Sequence, residues 1–365
     1  MLLDACLSFF VSLAATLLLV RSASRHGHLS GDTDIAGPQK FHTHPVSRIG
    51  GVGIAIGLMA GLAGLSYRDG GARDTAMGLL VCGIPAFGAG LAEDLTKKVS
   101  PAARLAAAAV SAALGIWLLD ALVARTGLPG LDWVVSFGIG AFGMTLLTVS
   151  GIANAVNIVD GFNGLASMCV MMMLLALAYV AWQTHDLLVM RLALLGCAAV
   201  LGFFVLNFPA GLIFLGDGGA YFLGYYLAEL GILLVVRNPD VSPMFPLLMC
   251  IYPVFETLFS IYRKKVIRGM SPGRPDGVHL HMLVYKRLLR RSAAAGCERS
   301  LVRRNSMTSP FLWALCLLAI VPSVVFWRST PWLCAFIVMF GIVYVFVYWR
   351  IVRFKVPRNL AIGKR

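Results

Sequence analysis

The chain has 365 residues, 59% of them hydrophobic and 13% charged, with a mean hydropathy of +0.81. That balance excludes a soluble globular domain and describes a polytopic membrane protein. The formal net charge of +14 reads first as a topology signal and second as affinity for anionic headgroups or phosphorylated substrates. Nucleic acid is a poor third, because the Lys and Arg residues flank apolar runs.

Apolar runs of roughly 17–22 residues, the length that crosses a bilayer as helix, recur about eleven times. They cover residues 2–20, 51–65, 76–92, 104–119, 133–150, 165–182, 187–206, 219–236, 243–262, 310–327 and 332–350. The expected fold is therefore all-α, with about 11 transmembrane helices in one integral membrane domain over residues 1–365. An N-terminus outside and a C-terminus in the cytoplasm puts most of the Lys and Arg on inner segments. Residues 1–20 lack a basic lead, and Arg21 and Arg25 follow the run, so it reads as a retained span rather than a cleaved signal. The cysteines include no C-x-x-C pair, so neither a disulfide framework nor a zinc site is suggested.

The first inner loop, 21–50, carries Lys40, His42, His44, Pro45 and Arg48 ahead of Gly50-Gly51-Val-Gly53. It reads as a solvated basic loop followed by small-residue helix packing, Gly57-x-x-x-Gly61, or as a ligand loop. The second holds Glu93-Asp94, then Lys97-Lys98 and Ser100-Pro101. Adjacent carboxylates and lysines there can hold a divalent cation and a phosphate, or form an ordinary helix end. Two further inner segments lack Lys and Arg. One is Asn154-Ala-Val-Asn157-Ile-Val-Asp160-Gly161-Phe-Asn163-Gly164-Leu165, a polar island in membrane-type sequence, where a lone acid is costly and tends to be functional. The other runs from Asn207 through Phe214-Leu-Gly216-Asp217, where Asp217 is either a helix N-cap or a metal ligand.

Glu93, Asp94, Asp160 and Asp217 all fall at the inner ends of spans, which points to a shared site for a metal and a polyphosphate. Glu229 and Glu256 lie within spans: Glu256 is expected to support the site from behind, and Glu229 to pair with a neighbouring helix. The basic loop 263–309 contains Arg274 and the pair His279 and His281, and residues 280–291 read as an amphipathic basic helix at the inner leaflet. Residues 310–350 form two spans with interfacial Trp and are given scaffold roles, and 351–365 form a basic cytoplasmic tail.

Over residues 30–290, the motif core, these blocks in this order resemble the polyprenyl-phosphate N-acetylhexosamine-1-phosphate transferases, glycosyltransferase family 4. The carriers are Lys40-Phe-His42 with Pro45-x-x-Arg48-x-Gly50-Gly51, the acidic pair with Ser100-Pro101 and Arg104, the 154–165 island, Phe214-Leu-Gly216-Asp217, and the histidine loop. The His-Leu-His form and the span count are closer to the WecA-type branch than to the MraY-type branch. Glu93 stands where the family usually has Asp, and Met282 where it usually has a further His. The resemblance implies transfer of GlcNAc-1-phosphate, or a related amino sugar phosphate, from a UDP-sugar to undecaprenyl phosphate, with release of UMP. It further implies Mg²⁺, with Mn²⁺ as the alternative ion, and a bacterial inner membrane enzyme working on the cytoplasmic face at the start of O-antigen or similar glycan assembly; a homodimer is left open. On the family's pattern Asp217 is the principal metal ligand with Asp94 or Glu93 helping, and Asp160 completes the catalytic acids. Asn154, Asn157, Asp160, Asn163, Asn207 and Phe214 would bind nucleotide-sugar, His279, His281 and Arg274 phosphates, and Lys40, Arg48 and Lys97 further phosphate oxygens. The rival from another class is a secondary transporter for an anionic metabolite, which would place its polar residues near mid-membrane in repeated halves.

Overall fold

The computed structural model describes residues 1–23, 46–271, 277–289 and 298–353. Among them the regular elements are helical, and ten helices are long and apolar enough to cross a membrane. In chain order α1 is Leu2–Arg21, α2 Gly50–Arg68, α3 Arg73–Thr96, α4 Pro101–Leu119, α5 Pro129–Val135, α6 Gly138–Val159 and α7 Leu165–Gln183. There follow α8 Leu187–Asn207, α9 Gly216–Arg237, α10 Met244–Met249, α11 Ile251–Tyr262, α12 Leu280–Leu283, α13 Glu298–Val325 and α14 Thr330–Val352. The segment expected as a single span at 243–262 is two short helices meeting at Cys250, with Pro246 and Pro253 on either side of the break.

Other boundaries differ for local reasons. The run expected at 133–150 divides: Pro129 opens the short α5 at its first turn, Gly138 opens α6, and α6 continues through the polar island to Val159. Residues 298–309, expected as loop, lengthen the tenth span at its foot. Residues 280–289, expected to lie on the leaflet, are a helical turn and a π-turn whose Leu280 to Tyr285 are buried in protein.

Lipid tails are as apolar as leucine, so these helices associate through close packing and hydrogen bonds rather than water exclusion. The α1–α2 pair shows how. Gly53, Gly57, Gly61 and Gly64 of α2 face Thr16, Ser12, Ser8 and Asp4 of α1 in antiparallel register, and a methyl group at any of the four would run into its partner. The Ser8 and Ser12 hydroxyls donate to the carbonyls of Leu195 and Ala199 on α8, at 3.1 and 2.6 Å. Asp4 pairs with the chain amine at 3.1 Å and with Arg68 at 2.6 Å.

At the centre stands α9, buried along nearly its whole length against α2, α3, α4, α6 and α7. Its first turn meets α2 so closely that Gly51 and Gly219 leave no room for a side chain on either. Glu229, midway along α9, does not pair as expected. Among the described residues neither of its oxygens has a hydrogen-bond partner, and the carboxyl packs against Gly115 of α4.

Candidate active site

The C-terminal ends of α3, α6 and α8 and the N-terminal ends of α4 and α9 converge at one end of the bundle. There they enclose a cavity of about 390 Å³. Arg48, Glu93, Arg104, Asn157, Asp160, Asn163, Asn207, Phe214, Asp217, His279 and His281 line it, together with Asn305 and Met282. Most of the residues singled out from the sequence are thus brought together from segments more than two hundred positions apart. Lys40 and Arg274 lie outside the described residues, as do His42 and His44. Asn154 and Lys97 do not line the cavity: the Asn154 side-chain oxygen accepts from the Tyr221 hydroxyl at 3.1 Å, and Lys97 Nζ donates to the Asp94 carbonyl at 2.9 Å.

Asp217 sits in the first turn of α9, where the positive end of the helix dipole favours negative charge. Its carboxylate is clamped by an ion pair to Arg104 and by Arg48 at 3.5 Å. Asp94 holds this turn in place. It is buried in α3, and its two oxygens accept the backbone N–H groups of Asp217 at 2.9 Å and Gly218 at 2.8 Å, so one helix caps another. Gly216 precedes them with φ of 77°, and the Arg48 carbonyl and Asp94 occupy the space where a side chain would go. Glu93, beside Asp94, accepts the Val99 N–H at 2.7 Å and fastens the α3–α4 loop. Ser100 caps α4, setting Arg104 one turn inside it.

Asp160 ends α6. Its side chain keeps a partial opening, yet protein surrounds it closely enough that burial pushes its pKa up to about 7, against the pull of Arg48 and with a push from Asp94. Gly161 follows because the His281 ring leaves only 3.1 Å to any added carbon. Two asparagine amides, Asn207 and Asn163, fix the next turn. Asn207 accepts the Gly164 N–H at 2.6 Å and donates to the Ile213 carbonyl at 2.8 Å. Asn163 Nδ2 donates to Ser306 Oγ at 3.3 Å and to the Pro209 carbonyl at 3.4 Å.

The foot of α13 enters this site, although its span reads from the sequence as scaffold only. Asn305 Oδ1 accepts the Asn163 N–H at 2.9 Å, Ser309 Oγ donates to the Asn163 carbonyl at 2.6 Å, and the Trp313 indole donates to the Gly164 carbonyl at 3.2 Å. The signal was the polar run Asn305-Ser306-x-Thr308-Ser309 ahead of an apolar helix. Arg104 was visible within its motif and had no role until Asp217 appeared beside it.

The fit of a divalent cation can be judged from the donors. Asp217, Asp160 and Glu93 supply hard oxygens to one cavity. Among the described residues no group of three His, Cys, Asp or Glu forms a ready cage. Mg²⁺ commonly takes one or two carboxylates and completes its shell with water and substrate phosphates, so this donor set fits an ion that arrives with a phosphorylated substrate.

Residues 76–235 match the family model "Glycosyl transferase family 4". Over that stretch the chain is similar to glycosyl transferase family 4. Over 343 residues, 93% of this chain and 89% of the relative, it is 27% identical to a protein of Bacillus subtilis (strain 168) named probable undecaprenyl-phosphate N-acetylglucosaminyl 1-phosphate transferase. Over 106 residues, 28% of this chain and 32% of the relative, it is 42% identical to the phospho-N-acetylmuramoyl-pentapeptide-transferase of Lactococcus lactis subsp. cremoris (strain MG1363). A protein of the same name from Streptococcus pyogenes serotype M18 (strain MGAS8232) is 35% identical over 148 residues, 39% of this chain and 41% of the relative. The first of these similarities runs nearly end to end, and the other two are confined to shorter stretches.

Proposed function

We propose that this protein transfers an N-acetylhexosamine-1-phosphate from a UDP-sugar to undecaprenyl phosphate and releases UMP. In this reading it works on the cytoplasmic face of a bacterial inner membrane and starts lipid-linked assembly of a surface glycan such as O-antigen. The observation that carries the reading is the clustering of Asp217, Asp160 and Glu93 with Arg48, Arg104, His279 and His281 in one cavity at the ends of the spans. A lipid-anchored phosphate is confined to that level of the bilayer, and a nucleotide sugar can reach it from the aqueous side. The name of the Bacillus subtilis relative, with its undecaprenyl phosphate and N-acetylglucosaminyl 1-phosphate, supports the lipid acceptor and the transferred group.

Each side chain then has a task. Asp217 is the principal ligand for Mg²⁺, which when bound would draw charge from the diphosphate under attack. Arg48 and Arg104, now on Asp217, offer planar forks suited to phosphate oxygens. Asp94 keeps Asp217 in position through the cap on α9. Asn157 and Asp160 face the nucleotide-sugar, and Phe214 offers a ring for uracil to stack on. Asn163 and Asn207 shape that wall by fixing its backbone. A phosphate monoester with a second pKa of about 6 is largely dianionic near neutral pH, so the prenyl phosphate can attack directly without a strong base.

The test is UMP release by purified protein supplied with undecaprenyl phosphate, Mg²⁺ and a panel of UDP-amino sugars. Release that needs both lipid and metal is expected for at least one sugar. Absence of release with every sugar, together with saturable uptake of an anionic metabolite into vesicles, would replace the enzyme with a transporter. Trapping of a phospho-enzyme from UDP-sugar without lipid would replace direct attack with a two-step path.

A further inference from the structure

One residue of α14 reaches the cavity through two intermediaries. Tyr344 is fully buried, and its hydroxyl donates to Glu256 Oε2 at 2.7 Å. Glu256, on α11, is fully buried too, and its Oε1 meets His279 Nδ1 at 2.9 Å and accepts the Leu280 N–H at 3.1 Å. His279 lines the cavity. A continuous hydrogen-bonded chain thus runs from the last span to the cavity wall, joining residues 88 and 23 positions apart.

The chemistry of the chain is directional. A carboxylate can only accept, so the imidazole nitrogen facing Glu256 carries the hydrogen and the tautomer is settled. Nε2 then lies on the opposite side of the ring. The Leu280 N–H shares the same oxygen, which fixes the ring relative to its own backbone, and the Tyr344 hydroxyl stops the carboxylate from turning. His281 stacks on His279 with ring centroids 5.3 Å apart and planes inclined by 4°. A carboxyl buried this deeply is destabilising unless fully hydrogen-bonded, and an apolar side chain would fill the space at less cost if packing were its task.

We infer that Glu256, backed by Tyr344, is a positioning residue that sets the tautomer and plane of His279 so that Nε2 meets the substrate phosphates. The inference rests on the phosphoryl-transfer reading above for the identity of what His279 meets. Partners of this kind behind metal-ligating histidines change activity or affinity by about 10–100-fold, and the same scale is expected here.

The test uses the full chain in detergent, with Glu256→Leu, Glu256→Gln, Tyr344→Phe and His279→Ala, and the Glu256→Leu/His279→Ala double variant. Glu256→Leu is expected to lower kcat for UMP release about 10–100-fold with little change in donor KM. Glu256→Gln keeps an oxygen for Nδ1 and Leu280 and an amide for the Tyr344 oxygen, so it should recover most of the rate; this variant carries the test if the Leu protein does not fold. Tyr344→Phe, which loses one hydrogen bond, should cost about fivefold. Once His279 is Ala, Glu256→Leu should cost nothing more, because the two act as a unit. Imidazole C2-hydrogen exchange read by mass spectrometry follows His279 without any turnover. Its rate should change in Glu256→Leu while that of His185, which is exposed, does not. Additive losses in the double variant, equal losses for Gln and Leu in folded proteins, or unchanged His279 exchange would each overturn the proposal. If the wild-type protein releases no UMP, the transferase reading fails, and the exchange rates still decide whether Glu256 governs His279.

Discussion

Two regions of the molecule place polar groups in apolar surroundings, and they do so to opposite ends. Along the α1–α2 seam, Ser8 and Ser12 sit a turn apart opposite glycines, and their hydroxyls are satisfied by carbonyls of α8. At the site, two guanidinium groups crowd onto Asp217 while Asp160 keeps a partial opening to the cavity. The seam consumes its polarity in holding helices together, whereas the site keeps formal charge beside a space large enough for a ligand. Polarity within a span therefore signals a functional site only when the groups face a space and remain charged.

Substitutions that respect this division should separate activity from stability. The largest effect is expected for Asp217→Asn, which should lower UMP release by about 10³-fold, as loss of a preorganised electrostatic group does, while leaving the melting temperature nearly unchanged. Chelation of divalent ions should silence the wild-type protein in the same assay, and added Mg²⁺ should restore it. At the seam, Gly57→Leu should remove about 1–3 kcal/mol of stability through overpacking against Ser12, seen as a lower melting temperature in detergent, with kcat per folded molecule preserved. If its kcat collapses while the fold persists, the two regions are not separable. The smallest effect is expected for Ser309→Ala. Losing its hydrogen bond to the Asn163 carbonyl should raise donor KM by about fivefold and leave kcat close to wild type.

Much of the site was legible because its residues break the pattern around them. Asp160 and Asp217 stand out in apolar sequence, and both lie at span ends that meet at one end of the bundle. What the sequence withheld were pairings across long separations. Asp94 looked like a metal ligand of the same kind as Glu93, and only a helix arriving 123 residues later turns it into a cap. Asn163 and Asn207 looked like substrate amides, and the structure engages them with Ser306, Pro209, Gly164 and Ile213. The α13 foot was hidden because hydropathy places the start of a span where apolar residues begin, while helix and function both begin earlier. Glu229 was assigned a partner on the rule that membrane carboxyls pair, and instead it packs against Gly115.

The cap that Asp94 places on α9 also has a dimension in time. A ribosome adding about 5–20 residues per second needs roughly 6–25 s to pass from Asp94 to Asp217. Throughout that interval α3 already exists and the two N–H groups that Asp94 accepts do not. A carboxylate buried without its hydrogen-bond partners is costly, so the buried seat of Asp94 depends on a helix made later. Only once α9 is made can Asp94 accept these two N–H groups, so the Asp217 turn takes its capped form together with the central helix.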